Sequence, residues 1–214
     1  MNIGIIGAGH IGGTAARLFT KAGHEVAISN SRGPASLRSL ATEIGPRTHA
    51  MRVDDAARFG SLILLAVPWR APEALPAPEM VTGKTVIDAM NPYGSGGEVL
   101  NLGATTSSEE VRKRLPGARL VKAFNTIYYQ HLATLGDKSL PVDQRHAIFV
   151  AGDDEEAKRV VSGLIEEIGF APVDTGSLAE GGRKQQPGSP IYNHPMTARE
   201  AGRILEAWPR TAAG

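Results

Sequence analysis

Three glycines, Gly7, Gly9 and Gly12, fall in the pattern G-x-G-x-x-G within the run Gly7-Ala8-Gly9-His10-Ile11-Gly12. The chemistry open to that spacing is the gripping of a diphosphate. The first glycine permits a tight turn, the second lets the backbone approach the phosphates, and the third lets a helix sit close against a strand. The pattern alone is weak, and its context makes it strong. Asn2 to Ile6 is an apolar run suited to a buried parallel strand, and His10 to about Ala22 carries Ile11, Ala15, Leu18 and Phe19 on one face before Gly23 stops it. The free N–H groups and dipole at the start of such a helix face the phosphates. A second strand, Glu25 to Ser29, completes a dinucleotide-binding βαβ unit.

The tip of that second strand selects the cofactor. Readers of NAD place Asp or Glu there, about 20 residues on, to hydrogen-bond the ribose 2′-hydroxyl. This chain has Ser29-Asn30-Ser31-Arg32 instead. No carboxylate repels a 2′-phosphate, Arg32 offers a planar fork of donors, and three short polar side chains stand beside it. The expectation is NADP(H) over NAD(H), with His10 covering the cofactor.

Later strands end at further candidate residues. Ser61 to Val67 is the clearest buried strand and stops at Pro68-Trp69, where Trp69 either covers the cofactor or, more simply, packs a loop. Lys84 to Met90 runs into the loop Asn91 to Gly97, which makes Asn91 a hydrogen-bond partner for cofactor or substrate and leaves Asp88 as a structural residue within the strand. Arg119 to Phe124 ends at Asn125-Thr126. Proton donors for reducing a carbonyl or imine would come from Lys122, Tyr128, His131 and His194; Lys122, beside Asn125, has the best placement, although a structural lysine is the simpler reading. No acid–base dyad is evident. The acidic run Asp153 to Glu156 reads as the charged start of a helix, and no metal site is expected.

The remaining segments fill out an α/β reading. Helices are expected at Ala35 to Ile44, up to Phe59 with Asp54 or Asp55 as cap, at Ser107 or Ser108 to Leu115, on Tyr128 to His131, at Asp154 to Ile168 and from Thr197 to about Trp208. Strands are expected near Thr48 to Arg52, at His146 to Ala151 and at Phe170 to Asp174. The fold class is a Rossmann-type doubly wound, mostly parallel sheet with a small C-terminal extension. Residues 1–175 form the nucleotide domain, and 176–214 a loop and helix that cover the active site or reach a partner subunit as an arm. So few apolar residues in Gly176 to His194 call for contacts from outside the chain.

With 214 residues, 23 basic and 22 acidic, the net charge is +1, which gives no electrostatic case for nucleic acid or an anionic membrane. Cysteine is absent, which removes disulfides, thiol catalysis and thiolate metal sites. No signal peptide and no apolar run near 18 residues is present, so the expected location is cytoplasmic.

GAGHIGG, the SNSR strand tip, LLAVPW, IDAMNP and VKAFNT, in that order, resemble the coenzyme F-420-dependent NADP oxidoreductase family, whose nucleotide domain also occurs in the STEAP metalloreductases. The resemblance covers about Met1 to Asp174. It implies NADP on Gly7 to Gly12, Ser31 and Arg32 on the 2′-phosphate, Val67, Pro68, Asn91 and Ala123 to Asn125 near the nicotinamide, and a homodimer. The segment GSLAEGGRKQQPGSPIYN departs from the more regular helical C-terminus of members that use the deazaflavin.

The leading expectation is hydride transfer between NADP(H) and a flat conjugated acceptor such as coenzyme F-420 or a flavin, which needs alignment more than acid–base groups. The alternatives are reduction of a small carbonyl or imine, and a non-catalytic NADP(H)-sensing module. Arg32→Ala is expected to weaken NADPH binding roughly ten- to a hundredfold, the worth of a charge-assisted hydrogen-bonded contact, and to leave NADH binding alone. An unchanged ratio of the two dissociation constants contradicts it.

Overall fold

The computed structural model describes residues 1–209. Short apolar runs become strands and amphipathic ones helices in the order β1 (Asn2–Ile6), α1 (His10–Lys21), β2 (Glu25–Ser29), α2 (Arg38–Ile44), β3 (Thr48–Ala50), α3 (Val53–Phe59) and β4 (Leu62–Leu65). After a proline-rich link come β5 (Thr85–Asp88), α4 (Ser107–Arg114), β6 (Arg119–Ala123), α5 (Tyr129–Thr134), β7 (Ala147–Gly152), α6 (Glu155–Glu167), β8 (Ala171–Gly176), α7 (Glu180–Lys184) and α8 (Ala198–Glu206).

The eight strands form one sheet in the order β3-β2-β1-β4-β5-β6-β7-β8. β1 to β6 run parallel, β7 runs against β6, and β8 runs parallel to β7. This is the Rossmann arrangement expected from the sequence. The strand order reverses between β1 and β4, and the crevice outside the carboxyl ends there is where such sheets bind ligands. Successive residues point to opposite faces, so Ile5, Leu64 and Val121 pack under α1 and α6 while Ile6, Ile63 and Leu120 pack under α3 and α4. Burial on both faces explains why β4 reads as unbroken leucine and isoleucine.

Several boundaries differ from expectation for local reasons. Pro34–Leu37 is a 3-10 turn, and α2 starts only at Arg38. Thr106, not Ser107 or Ser108, caps α4, in a reciprocal box with Glu109. Asp54 lies inside the first turn of α3 and accepts the Ala77 N–H at 3.2 Å, so it caps nothing. The tail is the largest difference. It is not one long loop: it contains α7; Leu178, Gln185 and Ile191 are buried, and Ile191 joins Phe149 and Ala201 in a small apolar cluster.

His146, just before β7, sits edge-on to Phe170 with ring centroids 6.0 Å apart. Burial, then the nearby His131, lowers its pKa from 6.5 to about 4. The unfolded chain takes up the proton first, so this group's contribution is fully present above about 6.5 and is lost as the pH falls through about 4. His146→Gln should therefore lose less melting temperature than wild type between pH 7 and pH 4; equal losses contradict this.

Candidate functional site

The glycine loop is built by close backbone contacts. A Cβ on Gly12 would stand 1.9 Å from the Gly7 carbonyl oxygen, so only glycine lets α1 press onto the end of β1. Gly7 has φ +109°, and a Cβ there would meet the Ala66 carbonyl oxygen at 2.3 Å. Gly9 differs: it is exposed, and a Cβ there would meet nothing within 4 Å. Gly9 is also the N-cap of α1, with no side-chain cap and no acidic residue in the first turn. The first amides of α1 thus remain available to an anion.

At the tip of β2 the four polar residues divide into two pairs. Ser29 is fully buried and donates its hydroxyl to the Ile5 carbonyl at 2.9 Å. This corrects its expected place among the cofactor contacts. Asn30 accepts the Arg32 N–H at 2.9 Å and bonds Ser36, which shapes the turn. Ser31 and Arg32 are left exposed.

Between the loop and the neighbouring strand ends lies a cleft of about 160 Å³. It is lined by His10 and Ile11 of α1, by Asn91 and Asn125 after β5 and β6, by Tyr128 and Tyr129, and by Tyr192 and Asn193 of the tail. His10 stacks on Tyr129 with centroids 4.2 Å apart and planes 18° off parallel. Phe124 is buried yet has φ 64°, a conformation costly for a bulky residue, at the turn where β6 gives way to Asn125. Asn125 donates to Asn91 Oδ1 at 3.0 Å and to the Gln185 carbonyl at 2.8 Å, while Asn91 donates back to the Asn125 carbonyl at 2.9 Å. Asn125 Oδ1 is buried with no donor in the protein.

Other expected residues fall elsewhere. Lys122 is buried, and its ammonium bonds Asp88 at 3.1 Å, the Met90 carbonyl at 2.5 Å and Ser107 at 3.2 Å. Asp88 also accepts from Ser108 and the Met90 N–H. Burial pushes the Lys122 pKa down, against the pull of Asp88. All three of its N–H bonds are engaged, so it ties β5 to β6 and to the start of α4 and does not line the cleft. Trp69 donates to the Ser107 carbonyl at 3.4 Å and lies under Arg114, so it packs the loop against α4. Val67 comes within 3.0 Å of the Cβ position of Gly7, Pro68 is exposed, and Ala123 is buried in β6. His131 faces Tyr128 and His146, and His194 is exposed; neither lines the cleft. Sequence reasoning missed Tyr93, Gln185 and Tyr192; the one available signal was the single tyrosine in an otherwise small and polar tail. Among the described residues, no group of His, Asp and Glu is placed to hold a metal, and no helix is long and apolar enough to cross a membrane.

A crevice of this form at the switch point is that of the Rossmann oxidoreductases that use NADP(H). Residues 2–92 match the family model described as NADP oxidoreductase, coenzyme F420-dependent. A crystal structure of a hypothetical protein from Sinorhizobium meliloti is 36% identical, with a TM-score of 0.80 over 92% of this chain and 95% of that one. A protein from Arthrobacter sp. FB24, provisionally described as an F420-dependent NADP-reductase, is 25% identical with a TM-score of 0.70, covering 97% and 91%. Metalloreductase STEAP3 of Rattus norvegicus is 29% identical over 179 residues, 83% of this chain and 34% of its own length. The chain thus spans about a third of the curated metalloreductases it matches.

Lys122→Met would leave the Asp88 carboxylate buried without its cation. Thermal or denaturant unfolding should show a loss of about 3–5 kcal/mol. A loss under about 1 kcal/mol, the worth of an exposed pair, contradicts the account of this tie.

Proposed function

We propose that this chain passes a hydride between NADP(H) and a flat conjugated acceptor, coenzyme F-420 or a flavin. In this reading the amides of Gly9 to Gly12 hold the diphosphate, and Ser31 and Arg32 meet the 2′-phosphate. The nicotinamide enters the cleft beside Asn91, Ala123 and Asn125, where a carboxamide N–H would supply the donor that Asn125 Oδ1 lacks. Bound there, the reduced nicotinamide supplies a hydride, that is, two electrons and a proton.

The observation that carries the choice of acceptor is the lining of the cleft. It combines aromatic rings and amides with the aliphatic Ile11, Ala89 and Ile127, has His10 stacked on Tyr129, Tyr128 next to them and Tyr192 on the tail, and contains no carboxylate or amine. Flat walls align a flat partner, and alignment is what hydride transfer between rings needs.

Mixing the protein with NADPH and oxidised coenzyme F-420, and separately with FMN and FAD, tests this. Bleaching of the deazaflavin or flavin absorbance, in step with NADPH loss, is expected. Tight NADPH binding with no bleaching of any of the three contradicts the proposal and favours a small carbonyl or imine substrate, or a sensing role.

A further inference from the structure

Tyr192 belongs to the tail, and its hydroxyl ends a hydrogen-bond circuit whose directions follow from counting donors. The Gln185 carbonyl can only accept, so the Asn125 atom 2.8 Å away is its NH₂ nitrogen. That NH₂ also donates to Asn91 Oδ1, which leaves the Asn91 NH₂ to donate to the Asn125 carbonyl and, at 3.4 Å, to Tyr192 Oη. Tyr192 Oη therefore accepts one hydrogen bond. Tyr93 Oη lies 2.9 Å from it. Two hydroxyls carry two hydrogens, and their mutual contact uses one. When Tyr93 donates, the hydrogen left over is that of Tyr192, and Tyr192, unlike Tyr93, lines the cleft.

The strap that carries Tyr192 is fixed on both sides. Ile191 is buried in the cluster with Phe149, and the Asn193 N–H donates to the Thr126 carbonyl at 2.8 Å. Asn193 turns there with φ 55°. Burial, followed by the bond with Tyr93, pushes the Tyr192 phenol well above its ordinary range, so it remains neutral and a donor at physiological pH.

We propose that the Tyr192 hydroxyl donates its hydrogen to a carbonyl oxygen of the hydride acceptor, so that the tail completes a subsite for conjugated carbonyl compounds. This rests on the reading of the cleft as the nicotinamide site. When a carbon conjugated to a carbonyl receives hydride, an electron pair moves toward the carbonyl oxygen. A donor already aimed at that oxygen stabilises the growing charge. Tyr192 keeps its proton, and solvent supplies the proton that completes the two-electron reduction. Lys122 is closed off by its own three bonds. Pyrimidinedione rings of deazaflavins and flavins, enones and quinones carry the required oxygen, and aromatic acceptors without a carbonyl do not.

The test compares wild type with Tyr192→Phe and Tyr93→Phe, using NADPH and oxidised coenzyme F-420. Three quantities are read: the NADPH dissociation constant by nicotinamide fluorescence, coenzyme F-420 binding in the presence of NADP⁺, and kcat. Tyr192→Phe should bind NADPH as wild type does, hold coenzyme F-420 more weakly, and lower kcat roughly ten- to a hundredfold, the worth of a hydrogen bond to a developing charge. Tyr93→Phe keeps the Tyr192 hydrogen and should keep most of kcat. An unchanged kcat in Tyr192→Phe overturns the proposal, as does a loss of NADPH affinity in step with kcat, which would mark Tyr192 as a prop for Asn91. If wild type binds NADPH yet transfers nothing to coenzyme F-420, FMN or FAD, the acceptor reading itself fails, and this proposal with it.

Discussion

The molecule depends on one close approach, the Cα of Gly12 against the carbonyl oxygen of Gly7, with no room between them for a methyl group. It brings α1 down onto β1 and sets the start of the helix over the crevice. Everything that makes this end of the sheet a binding site follows from it. The first amides of α1 have no capping side chain, and Gly9 presents bare backbone outward. A larger residue at Gly12 would lift the helix and turn those amides away. Packing and binding therefore share a single steric requirement.

Two polar ties carry that order across the sheet. Lys122 and Asp88, buried in adjacent strands, bind the ends of β5 and β6 to each other and to the start of α4. One layer further out, Asn91 and Asn125 clasp each other and the tail. A buried ion pair adds little net stability but is costly to break, so it fixes geometry more than it strengthens the fold. The strained turn at Phe124 lies between these two ties, which hold it in place. The cleft floor is thus set by interactions with one good arrangement, and the tail, held by Ile191 and Asn193, closes one side.

Much of this is legible in the sequence where local pattern and tertiary demand coincide. The glycine spacing, the strands β1, β4 and β6, the stop at Gly23 and the carboxylate-free tip of β2 are all short-range features, and burial on both faces makes the central strands apolar throughout. Residues answering to distant partners were harder to read. Ser29 looks like a cofactor contact until the Ile5 carbonyl claims its hydroxyl. Ser107 and Ser108 resemble a helix cap, but Ser107 accepts from Lys122 of β6 and Ser108 donates to Asp88 of β5 while Thr106 does the capping. The tail misleads for the same reason. Its few apolar residues, Leu178 and Ile191, each find a deep pocket, and Tyr192 meets Asn91 about 100 positions earlier in the chain, a separation of 101 that no local pattern records.

The central claim is that the opening amides of α1 grip a diphosphate while Arg32 meets a phosphate on the adenosine ribose. Its most direct test is the backbone amide spectrum of ¹⁵N-labelled protein titrated with NADP⁺. The account predicts saturable shifts that are largest at Gly9 to Gly13 and at Ser31 to Gly33, with the second group responding less to NAD⁺. Saturable binding that leaves the amides of Gly9 to Gly13 unmoved would contradict it.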